Sequence, residues 1–142
     1  MKTFHQYMTE SIDVAGAKNS TNVIKDVISK CLITTVGIHL EHWKTFNEAR
    51  HEALGEFYIN LNEQLDSLAE IALGIGIDLR SDFAFTHTFT TQEDFIDFLP
   101  GLRDRVNQAL NVTSTTELQS INDCLVAIQK SIDTLAYKLE LL

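Results

Sequence analysis

Four side chains in one stretch of the chain have the types and spacing of metal ligands: His42, His51, Asp66 and Glu70. Neutral imidazole and ionised carboxylate are the ordinary forms near pH 7. Two of each make a mixed nitrogen and oxygen set suited to iron, manganese or zinc. Asp66 and Glu70 stand i, i+4, one helical turn apart, so together they can chelate an ion. The histidines cannot join them on one helix, because His51 and Asp66 are separated by about 22 Å of helix axis. The four ligands are therefore two half-sites at opposite ends of a helix. A two-fold dimer unites them: packed antiparallel, the histidine end of one copy meets the carboxylate end of the other, and the symmetry makes two identical sites.

The elements that must position these groups read as four helices, over 21–44, 47–74, 92–110 and 116–141. Three capping boxes mark starts: Thr45 with Glu48, Thr91 with Asp94 and Ser114 with Glu117. A fourth start falls at Ser20 or Thr21. Apolar seams support the assignment. The first runs Ile24, Ile28, Cys31, Thr35, Ile38, His42. The second runs His51, Leu54, Tyr58, Leu61, Leu65, Leu68, Ala72. The last continues from Leu118 through Ile121, Leu125, Ile128, Ile132, Leu135 and Leu139 to Leu142. Spacings that alternate threes and fours pack helices at shallow angles, as in four-helix bundles. Gly74 and Gly76 suit a left-handed stop to the second helix. Pro100-Gly101 implies that the third helix is kinked or begins after the proline. Residues 77–91 form a long linker whose Phe83, Phe85 and Phe89 are expected to plug onto the core. The linker's His87 has no evident partner. His42 ends the first helix and His51 opens the second, so a short turn lets the imidazoles converge.

The whole chain, 142 residues with 44% hydrophobic and 22% charged, fits one soluble domain. One proline and six glycines favour helices over a many-turned β fold. The net charge of −9 repels nucleic acid, and no basic patch offsets it, so DNA binding is not expected. No apolar run reaches the ~18 residues of a membrane span. Cys31 and Cys124 sit among apolar residues outside any zinc pattern and read as reduced thiols of a cytoplasmic protein. Residues 1–19 form a leader, MKTFHQYMTES followed by a polar stretch, without the apolar run of a secretory signal. It is similar to leaders on proteins of tailed phages, so the expected setting is a bacterial or phage-infected cell, with carriage in a virion left open. Residues 20–142 form the bundle.

His42-Trp43, His51-Glu52, Asp66 and Ala69-Glu70 resemble the signature of the Dps miniferritins, a DNA-protecting ferritin-like family. The match from His51 to Glu70 needs no gap. The resemblance implies a ferritin-like four-helix bundle that assembles on two-fold dimers, commonly into a hollow dodecamer. It also implies binding and oxidation of Fe(II) by peroxide or dioxygen at intersubunit sites, followed by storage. His42 and His51 then come from one chain and Asp66 and Glu70 from its partner, with Glu70 bridging or anchoring and Trp43 lining the site. Two departures stand out. The His-to-His spacing is nine where the family usually has twelve, and Gly55 stands where an Asp often serves a second iron.

Other readings stay open. Singly, His42 reads as a core residue and Asp66 with Glu70 as a solvated face. His39 with His42 is a possible zinc pair without evident further ligands. Glu48-Ala-Arg-His51 matches one Glu-x-x-His of an intramolecular di-iron bundle, but no second copy exists. The functional alternatives are a non-catalytic assembly protein on the same scaffold, with an eroded site, and a monomeric bundle that binds a partner helix.

Overall fold

The computed structural model describes Met1 and residues 14–142, with side chains from Ser20 onward. Most of the expected leader thus lies outside the described residues. Helix α1 spans Val14–Lys44 and α2 spans Glu48–Gly74. A 3₁₀ turn, Phe95–Asp97, opens α3 (Phe98–Val112), and a second, Thr116–Leu118, opens α4 (Gln119–Glu140). No strand occurs among the described residues. The protein is a four-helix bundle: α1 packs on α2 and α3, and α4 packs on the same two.

The expected helices are present, with starts that differ. The first begins at Val14, ahead of Ser20, so residues 14–19 of the expected leader are helical. None of the three capping boxes forms as read. Asn47, not Thr45, caps α2, its side chain accepting from the Arg50 N–H. Asp94 itself caps the Phe95–Asp97 turn. Thr115 precedes α4's opening turn with no side-chain cap bond. Pro100 lies in the first turn of α3, where its missing N–H has no intrahelical partner to lose, so it neither kinks nor delays the helix. At the other end of α2, Gly76 adopts φ 101°. The Ile77 N–H reaches the Ala72 carbonyl (2.9 Å) and the Gly76 N–H the Leu73 carbonyl (3.3 Å), the paired bonds of a left-handed helix stop.

Cross-links fix the directions. Ser20 bonds to the Val112 carbonyl, Lys138 pairs with Glu56, and Arg103 pairs with Asp133. Each helix is therefore antiparallel to both neighbours, and α2 and α3 run parallel. They occupy diagonal corners of the bundle. Residues 75–94 return the chain along α1, held by Lys25 on the Asp82 carbonyl (2.9 Å) and Lys44 on the Glu93 carbonyl (2.9 Å). Phe83 and Phe89 pack against the core as expected, whereas Phe85 is exposed. His87 does have partners: its Nε2 lies 3.1 Å from Glu93 Oε2, and its ring meets the edges of Phe89 and Phe98.

The helical seams are buried from Ile24 to Ile38 except Thr35, from Leu54 to Ala72 except the partly buried Tyr58, and from Leu118 to Leu135, although Leu142 is exposed. In α1, Thr34 is fully buried while Thr35 is only partly so, its hydroxyl donating back to the Cys31 carbonyl (2.8 Å). Phe95 has no exposed surface and lies over Gly37, where an added Cβ would stand 2.5 Å from the ring. Both thiols are free. Burial pushes the Cys31 thiol up to about 12, and burial followed by the Asp123 charge raises Cys124, which is only partly buried. Thiolate is the reactive form. In native protein at pH 8 we expect a thiol reagent to label Cys124 slowly and Cys31 only after denaturation. Rapid labelling of both would contradict this burial.

Candidate metal centre

Three residues, 45–47, separate α1 from α2. So short a turn folds the end of one helix onto the start of the next, and it brings the two histidines into contact. Their rings stack with centroids 3.7 Å apart and planes 23° from parallel. Each ring also bonds the other's backbone: His42 Nδ1 to the His51 carbonyl at 2.8 Å, and His51 Nδ1 to the His42 carbonyl at 2.9 Å. A carbonyl only accepts, so both Nδ1 atoms carry the proton. Both Nε2 atoms are then left with the lone pair in the neutral rings. A backbone carbonyl holding one ring nitrogen is how a histidine is oriented for metal on the other. The pair is thus a clasp for the turn and a presentation of two nitrogen donors.

The stack constrains what the donors can do. An imidazole binds an ion along its lone pair, within the ring plane, at about 2.0–2.1 Å for a metal such as zinc. Two nearly parallel planes 3.7 Å apart do not meet at that distance. In this arrangement one ion cannot bond both nitrogens, so each imidazole can serve only its own.

Gly55 is part of this geometry. A Cβ at that position would lie 2.9 Å from His42 Cε1 and 3.1 Å from Nδ1. The glycine therefore makes room for the ring as well as lacking a carboxylate. For Gly55→Ala two effects compete. Helix propensity favours alanine by about 0.8–1.0 kcal/mol, while overpacking costs about 1–3 kcal/mol. The ring can relieve the clash by leaving the His51 carbonyl. We expect thermal stability to move by only a few degrees while the Nδ1–H tautomer of His42 is lost. Nitrogen-detected NMR of the imidazoles reads this directly, and an unchanged His42 tautomer would refute it.

Around the clasp, His39 stacks on Tyr58 (4.0 Å, 18°) and touches Trp43 (4.5 Å). Trp43 is 66% exposed beside the histidines. His39 and His42, the possible zinc pair, have ring centroids 6.3 Å apart. Among the described residues no three His, Cys, Asp or Glu side chains gather as a metal cluster. Asp66 and Glu70 are exposed on α2, far down the helix from His51. The single chain brings together the two histidines and leaves the two carboxylates apart from them.

Sequence reasoning missed Glu41, which is 5% exposed. Its Oε1 accepts from Lys44 Nζ (2.7 Å) and from the Phe95 N–H (3.1 Å). This ties the end of the long crossover to the turn that carries His42. The available signal was its position three residues after the buried Ile38, next to the His42 that was read onto the seam, with Lys44 three residues on.

A four-helix bundle that presents paired imidazoles at one end and paired carboxylates at the other is the class that fold and site define. Residues 42–139 match the model of a family described as a family of unknown function (DUF5856), and the chain belongs to that family. The chain is also similar to the DNA protection during starvation proteins of Listeria innocua and Listeria monocytogenes. Each is 29% identical over 122 residues, covering 71% of this chain and 76% of theirs. No solved structure gives a significant match.

Proposed function

We propose that the protein is a miniferritin-like assembly that takes up Fe(II) and oxidises it at sites shared by two protomers. The observation that carries this reading is the His42–His51 clasp, which fixes both Nδ1 protons and leaves both Nε2 atoms to bind metal. The similarity to the starvation proteins supports it. The role in their name, DNA protection, is carried here as removal of Fe(II) rather than coating of DNA, because a net charge of −9 repels phosphate.

In the proposed dimer α2 lies antiparallel against its twin. Opposing His51 to the partner's 66–70 turn sets the two-fold axis at residues 59–60 of each copy. Ile59 stands there, 51% exposed, on the same stripe of α2 as Asp66 and Glu70. With Val36 and Trp43, also exposed, it makes an apolar face that a twin would cover. One imidazole then serves each of two neighbouring ions, and the partner's Asp66 and Glu70 supply negative charge between them. Peroxide takes two electrons, one from each Fe(II), and two protons from solvent, leaving two waters and two Fe(III). Manganese or zinc would suit the same donors without that turnover.

The test is anaerobic addition of Fe(II) to purified protein, then peroxide, followed by ferric absorbance. We expect oxidation well above the buffer rate. A rate equal to buffer would favour the second reading, a non-catalytic assembly protein whose histidines only clasp the turn. Gly55, where miniferritins often carry Asp, is the observation on that side.

A further inference from the structure

The bundle end that carries the 45–47 turn has a second feature unrelated to metal. Phe46, at the tip of the turn, is 107% exposed. A side chain this apolar gains nothing from full hydration, and burying it against a partner is favourable. The turn that carries Phe46 is held by hydrogen bonds. Thr45 Oγ1 accepts from the Asn47 N–H (3.2 Å), Asn47 Oδ1 accepts from the Arg50 N–H (2.8 Å), and the histidine clasp closes the turn from behind. A projecting aromatic on a turn with a fixed backbone is suited to anchor an interface.

Beside it lies a cavity of about 330 Å³ between the start of α2 and the end of α4. Ala49, Ala53, Leu141 and Leu142 give it apolar walls, and the two alanines leave the space. Glu52, Glu56 and Lys138 surround these walls, two carboxylates to one ammonium. Lys138 is already paired with Glu56 at 2.6 Å. Among the described residues neither Glu52 nor Arg50 makes an ion pair. The knob thus has a free guanidinium beside it, and the hole has a free carboxylate.

We propose that Phe46 of one copy seats in this cavity of a second copy, with Arg50 of the first facing Glu52 of the second. The contact joins like ends of two bundles. It is distinct from the side-by-side α2 contact of the proposed dimer, so the two together carry assembly beyond two chains. It depends on neither iron nor the carboxylates Asp66 and Glu70.

The test is mass in solution without metal, by light scattering and native mass spectrometry. The proteins are wild type, Phe46→Ser, Ala49→Trp and a co-expressed mixture of the two variants. Both substituted side chains are exposed, so the fold is expected to hold, and circular dichroism checks it. We expect wild type to exceed twice the 16.0 kDa chain mass and each variant to fall to that value or below. The mixture regains larger species, because the Ala49→Trp chain still has the knob and the Phe46→Ser chain still has the hole. Variants that keep the wild-type mass, or a mixture no larger than its parents, would each overturn the contact. Neither outcome touches the iron reading, which is measured separately by ferric absorbance.

Discussion

Asp66→Asn is expected to lower peroxide-driven Fe(II) oxidation at least tenfold, towards the rate in buffer, while leaving the fold and the assembled mass unchanged. The substitution keeps the size of the side chain and removes its charge. Asp66 is exposed and makes no ion pair among the described residues, so the folded chain does not depend on it. An amide is a poorer ligand for a hard cation, and it cannot offset the positive charge that grows as Fe(II) becomes Fe(III). A tenfold loss corresponds to about 1.4 kcal/mol of transition-state free energy. His51→Ala is expected to do more. It removes a nitrogen donor, the ring stacked on His42 and the bond from His51 Nδ1 to the His42 carbonyl, leaving only the residue-51 carbonyl to hold the His42 ring. An Asp66→Asn protein that oxidised iron at the wild-type rate would place the chemistry elsewhere.

The second large effect comes from a residue that is no ligand. In Ile59→Asp two carboxylates face each other across the proposed two-fold axis. Covering the exposed half of Ile59 against its twin contributes about 0.8–1.5 kcal/mol on each side, and opposed like charges cost several kcal/mol more. Together these weaken the α2 contact by roughly a hundredfold or more. Iron oxidation is expected to fall with it, although His42, His51, Asp66 and Glu70 all remain. Ile59 is 51% exposed in the single chain, so the fold should be indifferent to the change. Sedimentation and ferric absorbance on the same sample check both halves. Activity that survives in a chain shown to lack the α2 contact would contradict the shared site.

The architecture was legible because burial acts on regular spacing. The seam from Leu118 to Leu135 follows threes and fours without interruption, and all of its members lie in the core. Helix starts were legible only to within several residues. A Ser or Thr three positions before an acid satisfies the capping pattern wherever it falls, and the real caps, Asn47 and Asp94, were settled by backbone angles. Glu41 was hidden for a different reason. A carboxylate reads as exposed until its partners are known, and one of them, the Phe95 N–H, arrives from 54 residues away.

The candidate site divides the same way. Convergence of His42 and His51 followed from the short turn between their helices. Their exchange of backbone bonds did not follow, because it depends on where each carbonyl points. Gly55 read as a missing ligand, and only the 2.9 Å approach of His42 shows what its lack of a side chain permits. The pairing of histidines with another chain's carboxylates is arithmetic on helix length, and it needs a second copy to test.

Co-expression of His51→Ala and Asp66→Asn chains makes that test most directly. Each variant alone has every shared site damaged. In a mixed dimer one site takes both lesions, and the other combines intact histidines from one chain with intact carboxylates from its partner. Random pairing makes half of the dimers mixed, so about a quarter of all sites are whole. The shared-site account predicts recovery of about a quarter of the wild-type oxidation rate from two inactive parents. A mixture shown to contain mixed dimers, yet as inactive as its parents, would contradict it.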